Sequence, residues 1–361
     1  MKVCFLINQI HEGGAERVVC SLSNYLINNG IDVHLITTLK FTDEYKLDDS
    51  VKRYVLSPFL NTKNRLSKNI LIKKLIRQYC LNNQIDCICS FMAESNFRAI
   101  SSCKRITTKT IISIRNDPAH EYQSFLYKIL SKRLFPKADA IVFQTDDAKN
   151  SFNSKISKLG TIIENPINEA FLTQKIGKGL KRKDFVTSGR LAEQKNHSVL
   201  IEAFSLISKK TDANLYIYGD GPLRENLKKK INDLSLNNRV FLMGQCCKLE
   251  EELQKYKTFV LSSNYEGMPN SLMEAMALGL DCISTDCPCG GPRFLFDNNK
   301  YGRLCIVNDK EKLANLMLLS ANENESQDKI DARIRRANEF SIDRIGRKWI
   351  GLLNSIVKPE I

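Results

Sequence analysis

Two glutamates eight positions apart, Glu266 and Glu274, bound the segment Glu266-Gly-Met-Pro-Asn-Ser-Leu-Met-Glu274. An apolar run, Thr258-Phe259-Val260-Leu261, comes before it, and a helical stretch, Leu272 to Leu278, follows. Gly267 and Pro269 turn the chain, and Asn270 and Ser271 are strong helix N-cap residues. The pattern reads as strand, tight turn, helix. The N–H groups at a helix start bind phosphate. Two carboxylates flanking such a start suit hydroxyls arranged around a phosphate. Glu274 also fits a capping box with Ser271, in which a glutamate at the third helical position returns to the cap N–H. Glu266 has no such local duty. Read as one helix, the eight positions set the carboxylates roughly 12 Å apart. The paired acids of a glycosidase sit about 5–9.5 Å apart, so the spacing counts against hydrolysis. A phosphate ringed by hydroxyls is what a nucleotide-sugar presents.

A second cluster, Ser188-Gly189-Arg190-Leu191-Ala192-Glu193-Gln194-Lys195-Asn196, follows the strand-like run Phe185–Ser188. Arg190 and Lys195 would bring two cations from one short loop, enough to neutralise a diphosphate and stabilise it as it leaves. As isolated residues they would read as solvated loop charges; their place after a strand favours the site. Gly13-Gly14 occupies the first strand-to-helix turn, where glycine lets a ligand approach the backbone. A dinucleotide site is disfavoured. Gly13-Gly14-Ala15-Glu16 is not G-x-G-x-x-G. Tyr218-Gly219-Asp220-Gly221-Pro222 has Arg224 at the third glycine, and no acid ends the second strand, Leu35-Ile36-Thr37-Thr38. Arg115-Asn116-Asp117, after the strand Thr110–Ile114, and His120 nearby are candidates for sugar or acceptor contact. The alternative is an Asx turn before Pro118.

These loops need strands and helices behind them. Lys2–Asn8 reads as a strand, Ala15–Asn29 as an amphipathic helix ended by Gly30, and Val33–Thr37, Cys87–Ser90, Thr110–Ile114 and Ala140–Gln144 as further strands. The alternation restarts after about residue 180, with strands at Phe185–Ser188, Asn214–Tyr218, Val240–Met243, Thr258–Leu261 and Asp281–Thr285. Repeated βαβ units imply a doubly wound parallel sheet in an α/β fold. The expected division is a Rossmann-like acceptor-binding domain over 1–170, a nucleotide-sugar-binding domain over 183–340, and a terminal helix over 341–361. The linker is placed at Glu164–Lys183. Two such domains facing across a cleft would carry the site at the carboxyl ends of their strands.

Composition bounds the partners. The 361 residues are 43% apolar and 26% charged, a globular balance. Twelve cysteines without a secretory signal suggest a reducing, cytoplasmic compartment. Cys246-Cys247, Cys87-x-Cys89 and Cys287-x-Cys289 lack zinc spacing, and no metal is expected. Net charge is +14, and residues 1–180 hold 26 Lys/Arg against 16 Asp/Glu. The excess concentrates at Lys63, Arg65, Lys68, Lys73, Lys74 and Arg77, interleaved with Leu66, Ile70, Leu71, Leu75, Ile76 and Tyr79 at roughly helical spacing. A second basic-apolar stretch runs from Phe125 to Lys137. Basic amphipathic helices read as contacts to an anionic membrane surface; a core-packed helix with a solvated basic face is the other reading. No nucleic-acid signature appears.

Gly13-Gly14-Ala15-Glu16-Arg17, Ser188-Gly189-Arg190 with Lys195, Tyr218-Gly-Asp-Gly-Pro222 and Glu266-Gly-x-Pro-x-x-x-x-Glu274-Ala275-Met276-Ala277 together resemble the retaining glycosyltransferases of family 4, over nearly the whole chain. The resemblance implies the GT-B fold. It implies that Arg190 and Lys195 bind the donor diphosphate, Glu274 the ribose hydroxyls and Glu266 the donor-sugar hydroxyls. The backbone of Gly267, Met268, Pro269, Asn270, Ser271 and Leu272 would touch sugar and phosphate. Gly14 would approach from the other domain, and Gly244 would lie under the base. It also implies no cofactor, no metal, front-face attack with retention, and UDP as the prevalent donor nucleotide. The helix from Ile342 to Ile356, with Trp349, resembles the one that crosses back to the first domain. Two departures stand out: Asp281 replaces a common proline, and Phe294 replaces a common acid after Gly-Pro-Arg. The reading is a hexosyltransferase, peripheral on the inner face of the cell membrane, acting on a lipid-linked glycan of a surface polysaccharide or oligosaccharide. The alternatives are a nucleotide-sugar epimerase or phosphorylase of the same fold, and a catalytically inactive membrane-surface scaffold.

Overall fold

The computed structural model describes residues 1–60, 64–174 and 183–358. Lys63 and positions 175–182 of the expected linker lie outside these residues. The chain forms two compact units, one of Met1–Pro166 with the segment from Ile342 onward, the other of Ile167–Ser341.

The first unit holds a seven-stranded parallel sheet. Its strands are β1 (Lys2–Ile7), β2 (Asp32–Thr37), β3 (Lys52–Val55), β4 (Cys87–Phe91), β5 (Lys109–Ser113), β6 (Ala140–Phe143) and β7 (Gly160–Ile162). Their order is β3-β2-β1-β4-β5-β6-β7. Its helices include α1 (Gly14–Asn28), α2 (Arg65–Asn82), α3 (Ala93–Ser102), α4 (Pro118–Glu121) and α5 (Phe125–Leu134). β4 and β6 are buried along their whole length and β1 from Val3 onward, the mark of strands covered on both faces. Edge strands β3 and β7 escape the sequence reading. β3, Lys-Arg-Tyr-Val, is polar and short, and β7 has three residues and begins on a glycine.

The second unit holds β8 (Phe185–Ser188), β9 (Leu215–Tyr218), β10 (Val240–Gly244), β11 (Thr258–Leu261), β12 (Asp281–Thr285) and β13 (Arg303–Cys305), all parallel, in the order β10-β9-β8-β11-β12-β13. Helices α6 (His197–Ile207) and α7 (Asn270–Ala277) carry the site. Leu200, Ile201, Phe204 and Ile207 of α6 pack on Phe185, Leu215 and Ile217 in one core cluster. Asp281, which departs from the family pattern, stands at the amino end of β12 and is buried. Ser320 Oγ donates to it at 2.5 Å and Arg303 pairs with it. Phe294 stacks beneath the Arg336 guanidinium at 5.1 Å. Both departures are absorbed by partners within the unit.

Helix α8 (Ile342–Val357) packs in the first unit. Trp349 is fully buried, stacked on Phe91 with ring centroids 5.8 Å apart. Lys348 Nζ donates to Glu164 at 2.7 Å, and Tyr25 Oη of α1 donates to Asp343 at 3.1 Å. The contact between α1 and α8 depends on Gly346, where an added Cβ would stand 2.2 Å from the Tyr25 ring. Gly346→Ala is therefore expected to cost about 1–3 kcal/mol by overpacking. Gly351→Ala, on the same helix with nothing within 4 Å, is expected to gain up to ~1 kcal/mol from helix propensity. Urea unfolding of the two variants measures the difference; equal stabilities would mean that α8 does not lie on Tyr25.

Candidate active site

In an open parallel sheet, ligands bind where the strand order reverses, outside the carboxyl ends. In the second unit that point lies between β8 and β11. The loops leaving these strands are stitched together. Ser262 Oγ donates to the Lys195 carbonyl at 3.0 Å, Asn264 N to the Gln194 carbonyl at 2.8 Å, and Asn196 Nδ2 to Asn264 Oδ1 at 2.8 Å. They bring Lys195 Nζ to 2.6 Å from Glu266 Oε1, with the two side chains 18% and 8% exposed. Ser263 Oγ donates to the same oxygen at 2.7 Å, and Gln194 Nε2 to Oε2 at 3.3 Å. Ser263 is itself fixed by Thr285 Oγ1, at the end of β12, which donates to its carbonyl at 2.6 Å. Three donors thus converge on one carboxylate.

Glycine clears the way for this cradle. Gly189 has φ +154°, and a Cβ there would press on Lys195 Cε at 3.0 Å. Gly219, with φ +122°, lies so close under the Gly189 carbonyl that a Cβ would stand 2.1 Å from its oxygen. Gly244 ends β10 with φ +76° and open space above it, room for a flat ring. Arg190 is exposed, and its guanidinium has no hydrogen-bond or ion-pair partner among the described residues. His197 opens α6 behind Lys195. Burial, and secondarily the Lys195 charge, push its imidazole down to about 3, so it stays neutral.

The turn after β11 differs from the sequence reading in one respect. Helix α7 begins at Asn270, with Pro269 at the cap in extended conformation and no side-chain cap bond. Proline's fixed φ ends the turn two residues before the Ser271 cap. Ser271 therefore lies inside the first turn, its Oγ buried without a partner, and Glu274 falls too far along to close a capping box. Glu274 is buried, 3% exposed. Gly267 and Pro269 approach the turn before Pro292. A Cβ on Gly291 would stand 1.8 Å from the Gly267 carbonyl oxygen. Ser263 and Gln194 are the site residues that sequence reasoning passed over. The signal available was a serine two positions after a strand and three before Glu266.

The first unit presents a different edge. Gly13, with φ +102°, and Gly14 are exposed at the start of α1. Arg115 is buried. It stacks over Phe91 at 4.8 Å and near Trp349 at 5.6 Å, and Nη1 donates to Asn165 Oδ1 at 2.9 Å. Burial pulls its guanidinium down to about 9. It braces the unit rather than its surface. Asp117 caps α4, accepting from Ala119 N at 3.1 Å, which is the Asx arrangement before Pro118. Its other oxygen pairs with His120 Nδ1 at 2.5 Å, and His120 is 44% exposed. Asn116 is half-buried beside them. Beneath this loop, Glu121 Oε1 accepts from Ala93 N at 2.9 Å and from the Asn116 N–H, while Oε2 is buried without a partner. Among the described residues no group of three His, Cys, Asp or Glu is placed to hold a metal.

Burial raises the Glu121 carboxyl from 4.5 to about 7. The folded state therefore holds this proton more tightly than the unfolded chain. Its contribution is full below about pH 4.5 and is lost as pH rises through 7, by roughly 3 kcal/mol at most. Glu121→Gln stays neutral throughout. Its stability relative to the parent protein is expected to rise between pH 5 and pH 8; urea unfolding at the two values tests this, and a pH-independent difference would refute it.

Comparison with known proteins agrees with this geometry. The family description "Glycosyl transferases group 1" matches residues 168–337, and "Glycosyltransferase Family 4" matches 12–171. An uncharacterized glycosyltransferase of Methanocaldococcus jannaschii is 30% identical over 69% of this chain and 73% of its own. The N-acetylgalactosamine-N,N'-diacetylbacillosaminyl-diphospho-undecaprenol 4-alpha-N-acetylgalactosaminyltransferase of Campylobacter jejuni is 28% identical over 86% and 88%. Among solved structures, Anabaena HepE in complex with UDP superposes with a TM-score of 0.81 at 16% identity, covering 98% of this chain and all of that one. The two parallel-sheet units and these matches make the chain a glycosyltransferase of family 4, with the GT-B fold.

Proposed function

We propose that this enzyme moves a hexose from a UDP-sugar to a lipid-linked glycan, with retention at the anomeric carbon. The observation that carries the reading is the Lys195–Glu266 cradle at the switch point of the second unit. A donor diphosphate would draw Lys195 from Glu266 and pair it, with Arg190, to phosphate oxygens. That exchange frees Glu266 Oε1 to accept from a donor-sugar hydroxyl, while Ser263 and Gln194 keep the carboxylate in place. Glu274 takes the ribose hydroxyls, and the start of α7 faces phosphate. As the C1–O bond to phosphate breaks, positive charge grows on the sugar ring and negative charge on the diphosphate. Lys195, Arg190 and backbone N–H groups stabilise the second. The acceptor oxygen bonds to C1 from the same face, and its proton passes to the departing phosphate.

The acceptor class rests on relatives and on charge. The Campylobacter jejuni relative is named for a diphospho-undecaprenol substrate. Among the described residues no helix is long and apolar enough to cross a membrane. Yet α2 carries Arg65, Lys68, Lys73, Lys74 and Arg77 without an acid, and α5 carries Lys128, Lys132 and Arg133. Each such cation near an anionic leaflet contributes about 1 kcal/mol, which supports work at an anionic membrane surface.

Thermal stability against UDP, GDP, ADP and NAD tests the donor. A nucleotide at about 100 times its dissociation constant adds roughly 2.7 kcal/mol. Stabilisation by UDP, abolished in Glu274→Ala, is expected; no shift with any nucleoside diphosphate would end the reading. For the cradle, Ser263→Ala removes one donor to a charged group, a loss of about 1.5–3 kcal/mol. Transfer rates are expected to fall about 10- to 100-fold with UDP affinity retained; an unchanged rate would remove Ser263 from the mechanism.

A further inference from the structure

At the amino edge of the first unit's sheet, where β5 and β6 begin, lies a cavity of about 470 Å3. It sits at the opposite end of the strands from the Gly13-Gly14 turn, and the transfer chemistry does not use it. Cys103 lines it, with Lys104, Arg105, Thr110 and Asp139 among its neighbours. Cys103 directly follows α3, as its C-cap. Cys80 stands in the last turn of α2 and packs with Cys103 in one core cluster. The two side chains hydrogen-bond to each other. Cys80 is 1% exposed and Cys103 6%. Cys103 thus has a thiol behind it and an open cavity in front.

The surroundings favour a thiolate at Cys103. Arg77 precedes Cys80 by one helical turn, on the same face of α2. Its Nη1 donates to the Ser102 carbonyl at 3.1 Å and to the Lys104 carbonyl at 2.7 Å, on either side of Cys103. The hydrogen bond from Cys80, then those of Thr110 and the Arg77 charge, hold the Cys103 thiol below its ordinary value despite burial. Cys80 goes the other way. Its bond to Cys103, and then burial, raise it, so it keeps its proton. In other buried cysteines burial dominates, pushing Cys20, Cys287 and Cys305 up to about 12. A thiol of lowered pKa that meets solvent space, with a second thiol beside it, has the parts of an oxidant-sensitive pair.

We infer that Cys103 and Cys80 are a modification site, which hydrogen peroxide converts to a disulfide joining α2 to the end of α3. The Cys103 thiolate attacks one peroxide oxygen. The O–O bond breaks, hydroxide leaves, and Cys103 becomes a sulfenic acid. The Cys80 sulfur then displaces that hydroxyl, which departs as water with the Cys80 proton. The two sulfurs lose two electrons in all, and peroxide gains them. Peroxide is close to water in size, and water occupies about 30 Å3 in the liquid, so the cavity admits it. Disulfides of this kind suit a reducing compartment because they are transient.

The test is peptide mass mapping of the full chain after stoichiometric hydrogen peroxide, with the remaining thiols blocked by iodoacetamide. Trypsin leaves Cys103 in the peptide Ala99–Lys104 and Cys80 in Gln78–Arg98. The two peptides are expected joined, lighter by two hydrogens than their sum, and separated again by dithiothreitol. Cys87 and Cys89 share the longer peptide, so fragmentation identifies the bonded sulfur; a bond from Cys103 to either of them overturns the pair. Cys80→Ala is expected to stop at the sulfenic acid, captured on Cys103 by dimedone. Cys247, an exposed thiol, is the internal reference. Cys103 left free while Cys247 is oxidised overturns the inference.

Discussion

One ion pair organises the second unit. Lys195 and Glu266 come from loops after different strands, nearly out of water, and a buried charge is tolerated only when paired and hydrogen-bonded. The reversal of strand order between β8 and β11 makes those loops neighbours. Gly189 leaves room for the Lys195 stem, and Gly219 lets the turn after β9 close on the Gly189 carbonyl. Ser263 and Gln194 fill the remaining positions around the carboxylate. Such a cradle can exchange one cation for a ligand hydroxyl without collapsing, because two donors remain.

The two units use one topology for opposite ends. In the second, the carboxyl edge gathers polar groups around a carboxylate. In the first, the polar groups beneath the edge are structural: Arg115 lies between Phe91 and Asn165, and Glu121 ties α4 to the start of α3. The surface left over is glycine at α1, the Asp117–His120 pair, and an apolar trough rimmed by cations. A polar cradle and an apolar trough thus arise from the loops and helices hung on similar sheets.

Much of this was legible in the residues. Interior strands such as Phe185–Ser188, Thr258–Leu261 and Asp281–Thr285 have the bounds expected, because each is built around the apolar and β-branched residues that suit a strand covered on both faces. Edge strands β3, β7 and β13 were not, since one side faces away from the core and short polar runs suffice. The turn at Glu266 was recognisable as strand, turn and helix, but the helix start was misplaced. Asn270 and Ser271 have strong capping propensity, and the neighbouring proline overrides it. Arg115 was a candidate for sugar or acceptor contact because it follows a strand. Its burial depends on Trp349, far along the chain, and no local pattern encodes that. Helix α2 divides between its two readings: Ile72, Ile76 and Cys80 pack into the core, while Leu66 and Ile70 stand clear.

The return of α8 to the first unit has a consequence for biosynthesis. Tyr25 and Asp343 are 318 positions apart, yet they share a hydrogen bond within that unit. A ribosome delivers the seven-stranded sheet long before it delivers Trp349 and Gly346. Until then the Phe91 face and the surface of α1 have nothing over them, and exposed apolar surface of this kind invites aggregation. Contacts of such long separation also slow folding. The nascent first unit is thus a natural client for chaperones, and its last step is the closing of a helix synthesised after the whole of the second unit.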